Sequence, residues 1–329
     1  MAIRIGVVGA GRRAGDHLKA LQQIPEAEIV AICDVQEDRA RERVQEFGGH
    51  LYTDFEQMLE AAKPEALVIT TPPLAHREQM LPAVERGIHV LIEKPLALSI
   101  EDMRAMVAAV EQQGVIASVG YQLRHLSTVA EAQRLLAGRP IAAVAAHFYW
   151  TVPLVEWIKD RKLAGGQMVD QCTHLIDLCR LFAGEVKSVS AAYTNVTRRN
   201  VPGFNNWDAY VAAMAFDSGA VGSVHSTYAL FSGIPGATEL AIIADELLIR
   251  IEPGRQMRVF ARDGERTCAA EGDPTLELNR TFVRAIASGD ASGIRSPLAD
   301  AMRSCAVSLA ANAAAQRGEV VSLAEFLGR

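Results

Sequence analysis

Apolar residues in the first 120 positions fall into short blocks separated by segments of helical period. Blocks at 3–8, 28–32, 66–70, 88–92 and 115–119 read as strands. Segments at 15–23, 37–47, 55–61, 77–86 and 100–113 read as amphipathic helices. Strand and helix alternate, which predicts right-handed crossovers and a parallel sheet covered on both faces. Gly48-Gly49, Gly87 and Gly114 follow predicted helices, where a left-handed cap suits glycine.

Beyond Gly120 the rhythm changes. A helix at 128–136 and a long apolar run at 141–149 precede strand candidates at 186–196, 207–216, 220–230, 238–244, 246–251 and 257–261. Asp217-Ser218-Gly219 is a tight-turn signal between two of them. Helices return at 276–288 and 298–317. The expected fold class is α/β: a doubly wound parallel sheet over 1–121, then an α/β domain over 122–329 with a large, mostly antiparallel sheet.

Composition narrows the partners. Of the 329 residues, 50% are hydrophobic and only 6% aromatic, so aliphatic side chains fill the core. Net charge is -6 with no long basic run, which argues against nucleic acid. No secretory signal and no apolar stretch of ~18 residues is visible, so neither export nor a membrane span is expected. The five cysteines are scattered with no CxxC pair. A reduced, cytoplasmic setting is the expectation.

Three groups of residues carry candidate chemistry. Gly9, Gly11 and Ala14 match G-x-G-x-x-A between a strand and a helix. The first glycine makes the turn, the second admits a pyrophosphate, and the small third residue lets helix and strand pack. Asp34 ends the second strand, where a carboxylate accepts ribose hydroxyls and repels a 2′-phosphate; NAD is expected, with NADP possible and less favoured. Arg12, Arg13 and Arg39 read as solvated helix charges or as anion contacts. Thr71-Pro72-Pro73, His76 and Glu93-Lys94-Pro95 follow later strands, at the edge where open α/β sheets bind ligands. His76 reads as a helix cap, a surface group or a lining of the nicotinamide side. Lys94 reads as a solvated lysine, or as a desolvated amine of lowered pKa beside the substrate hydroxyl. Further on, Gly165-Gly166 precedes Asp170, His174 and Asp177, whose spacing puts all three on one face of a helix. That pattern suits proton transfer; a capped helix with a core histidine is the plainer alternative. Nothing nearby completes a metal site.

In this order, G-A-G (9–11), T-P-P-L-A-H (71–76), E-K-P (93–95), G-Y-Q-L-R (120–124) and G-G-Q-M-V-D-Q-C-T-H-L-I-D (165–177) resemble the glucose–fructose oxidoreductase / inositol dehydrogenase / rhizopine-catabolism family, Gfo/Idh/MocA. The resemblance spans almost the whole chain. It departs at Ala14 and Gln167, where many members carry glycine. It implies a Rossmann domain followed by an open-sheet α/β domain for substrate binding and oligomerisation. It implies NAD(P)-dependent oxidation or reduction of a sugar, cyclitol or related polyol, with Lys94, Asp170 and His174 as the catalytic trio. In that scheme His174 takes the hydroxyl proton, with its pKa raised by Asp170, and Lys94 stabilises the alkoxide. Tyr121, Arg124, Tyr149, Trp157 and Lys159 are candidates for the pocket rim, and a homodimer or homotetramer is implied. Two alternatives stand beside it: an NAD-dependent glycoside hydrolase, and a non-catalytic NAD(P)-binding regulator.

Overall fold

The computed structural model describes residues 2–328. The first stretch of chain runs β1 (Ile3–Val8), α1 (Arg12–Leu21), β2 (Ala27–Cys33), α2 (Glu37–Phe47), β3 (His50–Tyr52), α3 (Phe55–Ala62), β4 (Ala66–Ile69), α4 (His76–Glu85), β5 (His89–Ile92), α5 (Ile100–Gln113) and β6 (Ala117–Val119). It continues through α6 (Ser127–Leu136), β7 (Ile141–Tyr149), four helices α7 (Glu156–Lys159), α8 (Arg161–Ala164), α9 (Gln167–Asp170) and α10 (Thr173–Ala183), and β8 (Val186–Thr194). Then come β9 (Ala209–Phe216), β10 (Val221–Thr227), β11 (Thr238–Ala244), β12 (Leu247–Glu252), β13 (Gln256–Ala261) and β14 (Gly264–Ala269). The chain closes with α11 (Pro274–Ser288), α12 (Leu298–Arg317), β15 (Val321–Ser322) and α13 (Leu323–Phe326).

Two compact units result. The first holds the chain up to His125 together with Asp273–Met302; the second holds Leu126–Gly272 and the segment from Arg303 onward. The sequence-based division at residue 121 is continuous along the chain, whereas these units are not: α11 returns to the first.

In the first unit six parallel strands lie in the order β3-β2-β1-β4-β5-β6. The order reverses between β1 and β4, and beyond the carboxyl ends of strands at such a switch point lies the ligand crevice of this architecture. Register makes this concrete. Val8 lies opposite both Cys33 and Ile69, so Gly9, Asp34 and Thr70 leave the sheet at one level. β4 is buried throughout and β5 nearly so, the unbroken apolar run of a strand covered on both faces. Leu278, Phe282 and Val283 of α11 join Ala14, Leu18 and Leu21 of α1 in the core over this sheet.

In the second unit nine strands run β14-β13-β12-β11-β7-β10-β9-β8-β15. Only β7 and β10 pair in parallel; the other neighbours are antiparallel. One face stays open. Val211, His225 and Val221 on β9 and β10 are exposed, as are Ala145 on β7 and Ile243 on β11.

Most expected elements form, and the exceptions have local causes. Helix α1 begins at Arg12 rather than residue 15, because the glycine turn passes directly into it. β3 has three residues and depends on Gly49: a Cβ there would come within 3.2 Å of the β2 backbone. β14 is a polar edge strand without apolar alternation, so nothing marks it in the sequence. No helix among the described residues is long and apolar enough to cross a membrane.

Gly9 is constrained twice. Its φ is 89°, and a Cβ would lie 2.8 Å from Thr70 Oγ1. Gly9→Ala should therefore lower stability by about 1–3 kcal/mol, combining left-handed strain with overpacking. Urea unfolding midpoints measure this; an unchanged midpoint would show that the turn can rearrange freely.

Candidate active site

In the first unit, the turn after β1 is held from three sides. Asp34 Oδ2 accepts the Ala10 N–H at 2.7 Å, and Oδ1 accepts the Gln36 N–H at 2.8 Å. Thr70 Oγ1 donates to the carbonyls of Val8 and Gly9, at 3.2 Å each. The Arg43 guanidinium donates to the carbonyls of Ala10 and Gly11 and lies over Gly15, whose missing side chain leaves it room. Asp34 is half-buried, and its oxygens keep lone pairs beyond those two bonds.

Gly11 is the informative position. Its φ of -72° suits any residue, and a Cβ there would meet nothing within 4 Å. Nothing inside the protein requires glycine. The space lies at the start of α1, whose first turn has no side-chain cap and no acidic residue. Uncapped amides carry partial positive charge and suit a phosphate. The residues present thus fit a dinucleotide.

The two arginines after the turn differ. Arg12 is exposed, 3.9 Å from Asp16. Arg13 turns inward: Nε donates to Glu93 Oε1 at 2.7 Å, and Nη1 reaches Asp16 and Thr275 Oγ1 at 3.3 Å. The expectation of a solvated charge or an anion contact at Arg13 is corrected here. Its guanidinium is committed to a buried carboxylate of its own chain.

That carboxylate anchors Lys94. Glu93 follows β5 and is buried. Oε1 also accepts from His17 Nε2 at 3.0 Å, and Oε2 accepts the Lys94 backbone N–H at 3.2 Å. Burial raises a carboxyl pKa, but the Arg13 charge and the His17 hydrogen bond reverse that and hold Glu93 well below the usual range. Lys94 is half-buried and joined to Pro95 by a cis peptide bond.

His76 is neither a surface group nor an exposed helix cap. Its ring is fully buried, with Nδ1 3.0 Å from the Leu96 carbonyl and Nε2 2.9 Å from that of Thr71. It ties the turn after β4 to the loop after β5. Burial pushes its pKa down, against the two carbonyls. Thr71 Oγ1 donates to Gln79, and Pro72 is exposed. Tyr121 is fully buried, and Arg124 pairs with Asp300 at 2.6 Å.

In the second unit, Asp170 and His174 are not on one continuous helix as expected. Asp170 ends α9, and α10 begins at Thr173. At the break the Cys172 N–H reaches back five residues to the Gln167 carbonyl. Asp170 is buried and His174 half-buried. His174 and Asp177 do share α10, three residues apart, and Asp177 accepts a 2.6 Å hydrogen bond from Ser304. Gly165 and Gly166 have φ of 76° and 85°; a Cβ on Gly166 would crowd Asn206 Oδ1 and the Tyr210 hydroxyl. Gln167 is wholly buried. Its amide donates to the carbonyls of Phe148 and Thr227, fastening α9 to β7 and β10.

Among the rim candidates of this unit, Lys159 pairs with Glu156 at 2.6 Å, Tyr149 stacks on His147, and Trp157 is half-buried on α7. An aromatic that the sequence reading places in a strand and not at the site is Trp207, 3.5 Å from a Gly166 Cβ position, with the Arg161 guanidinium 4.2 Å above its ring. No group of three or more His, Cys, Asp or Glu among the described residues is arranged to hold a metal ion.

Residues 3–121 match the profile of an oxidoreductase family with an NAD-binding Rossmann fold, and residues 130–245 match the GFO/IDH/MocA C-terminal domain. The chain is 31% identical over 232 residues to scyllo-inositol 2-dehydrogenase (NAD(+)) of Bacillus subtilis (strain 168), covering 68% of this chain and 67% of that protein. Glucose-6-phosphate 3-dehydrogenase of the same organism is 33% identical over 184 residues, 53% of this chain and 52% of that protein; the chain thus matches about half of that relative's length. Among solved structures, the WlbA dehydrogenase from Bordetella pertussis, in complex with NADH and UDP-GlcNAcA, superposes with a TM-score of 0.84 at 26% identity, covering 98% of this chain and 99% of that one. The chain belongs to the GFO/IDH/MocA oxidoreductase family and carries that family's NAD-binding Rossmann domain.

Proposed function

We propose that this oxidoreductase transfers a hydride between NAD and a sugar, cyclitol or related polyol, or its keto form. The observation that carries the reading is that Lys94 and His174 stay half-buried while Glu93 and Asp170 beside them are buried. Such groups are open to a substrate and partly screened from water, which suits proton transfer. The relatives' names support the substrate class: one oxidises an inositol, another a sugar phosphate.

In the oxidative direction the substrate CH–OH loses a proton and a hydride, leaving C=O. The nicotinamide, when bound, supplies the acceptor for the hydride. His174 takes the hydroxyl proton, and the Lys94 ammonium stabilises the oxygen as its charge develops. Asp170 binds a substrate hydroxyl. Gly9, Gly11 and the start of α1 hold the pyrophosphate, and Asp34 holds the adenosine ribose. Arg12 is the cation of that turn left open to solvent. We further propose a homodimer or homotetramer built on the open face of the second sheet, where Val211, Val221 and Ile243 are exposed.

Gly11→Ala should leave the urea midpoint of the coenzyme-free protein within about 0.5 kcal/mol of native, the range of a neutral surface change. It should weaken NAD binding by roughly tenfold or more, since a methyl group would fill the phosphate cradle. Calorimetric Kd values for NAD and NADP test this together with Asp34: native protein should prefer NAD, and Asp34→Ser should narrow the preference. Tighter NADP binding by native protein would refute the role given to Asp34.

The substrate is found by screening sugars, cyclitols and their keto forms for change in NADH absorbance. With that substrate, Lys94→Ala should keep native NAD affinity and lose roughly 10²-fold or more in kcat. His174→Asn should lose roughly 10²-fold or more in kcat/KM, the scale of a lost general base. Native turnover in Lys94→Ala would leave that lysine with no catalytic part.

Self-association is measured by multi-angle light scattering. Val221→Lys, placing a charge on the open face, should lower the observed mass without unfolding the protein. A native protein of monomer mass would exclude the assembly.

A further inference from the structure

Glu93 is buried among partners that come from distant parts of the first unit. Arg13 and His17 lie on α1, one turn apart, and both donate to Oε1. Gly120 leaves the space the carboxylate occupies: a Cβ there would lie 2.7 Å from Oε1. His17 is itself fully buried and held by α11. The Asn279 amide donates to the Thr275 carbonyl at 2.8 Å and to His17 Nδ1 at 2.9 Å. Nε2 faces a carboxylate, which can only accept, so the ring donates there; Nδ1 also lies 3.2 Å from the Asn279 oxygen, so Asn279 holds the ring through its amide. The chain of hydrogen bonds runs Asn279 to His17 to Glu93, and Glu93 in turn accepts from the backbone of Lys94.

We infer that His17 and Asn279 are positioning residues for Lys94, acting through the Glu93 carboxylate. The inference rests on Lys94 being the catalytic lysine of the proposed reaction. A buried charge network is a poor way to gain stability, because apolar side chains of the same volume usually do as well. What it does provide is direction. Asn279 is tied at once to the Thr275 carbonyl and to the imidazole, the imidazole to Glu93, and the far oxygen of Glu93 accepts the N–H of Lys94. Arg13 neutralises Glu93, but one guanidinium nitrogen leaves the carboxylate free to pivot about that contact. The imidazole removes that freedom, and Asn279 fixes the imidazole.

The test compares His17→Leu, Asn279→Leu and the conservative His17→Gln, which keeps an N–H able to reach Glu93. Competitive labelling with acetic anhydride, read by mass spectrometry, reports each lysine separately, and exposed Lys19 serves as the internal standard. Labelling of Lys94 relative to Lys19 should rise at least roughly threefold in both leucine variants as the strand end loosens. It should return toward native in His17→Gln. With the screened substrate, kcat per folded molecule should fall by roughly tenfold in the leucine variants, with NAD affinity native. The double variant should lose little more than His17→Leu alone, because the two side chains act in series. If His17→Leu does not fold, Asn279→Leu and His17→Gln read the same chain. Native labelling and native kcat in variants that are merely less stable would overturn the inference. Lys94→Ala separates the two readings. If it abolishes turnover while His17→Leu and Asn279→Leu remain native, the positioning role fails alone. If it retains turnover, the catalytic assignment fails.

Discussion

A carboxylate sealed away from water constrains the whole first unit. An unpaired buried charge costs several kcal/mol, so Glu93 is tolerable only with a counter-charge and with its lone pairs filled. Arg13 supplies the charge, and His17 and the Lys94 amide fill lone pairs. Each partner then limits something else. Arg13 and His17 fix the rotation of α1, residue 120 must be glycine, and α11 must return to this unit from a distant part of the chain. The strand end that carries Lys94 inherits the rigidity of all of them. The same constraint explains why Arg13 turns inward: leaving Glu93 would strand a negative charge.

The second unit fixes its chemistry by different means. Here the backbone sets direction. Two consecutive left-handed glycines turn the chain out of α8 and into α9, and a side chain on Gly166 would collide with Asn206 and Tyr210. The break after Asp170 restarts the helix, so Asp170 and His174 need not keep the spacing of a single helical face. Gln167 holds the start of α9 by bonding to the carbonyls of two strands. A glycine at 167 would give up both contacts between α9 and the strands.

How much of this the sequence reveals depends on the range of the interaction. The apolar blocks of β1 and β7, and the helices α2, α5 and α12, are local signals, and they appear where the pattern puts them. The mixed character of the fold follows from the change in rhythm after Gly120. β14 carries no such signal, being a polar edge. Chemistry is legible in the same graded way. Gly9, Gly11 and Asp34 are readable because one turn and one strand end contain them. The burial of His76 escapes the reading because it depends on the carbonyl of Leu96, twenty residues away. His17 looks like any histidine on the apolar side of a helix, and its partner Asn279 is 262 residues further on. The helix break after Asp170 is invisible because no proline or glycine marks it.

The two glycines of the first turn answer to different masters. Gly9 is required by the polypeptide itself, through its left-handed backbone and Thr70. Nothing inside the polypeptide asks for glycine at 11, and on the proposed reading only the coenzyme does. Over generations these demands separate. A descendant that kept the fold and abandoned the coenzyme would retain glycine at 9 and accumulate larger residues at 11. A descendant still using the coenzyme would keep both. The pair thus forms a small historical record, from which a lineage's continued dependence on a dinucleotide can be read without assaying a single member.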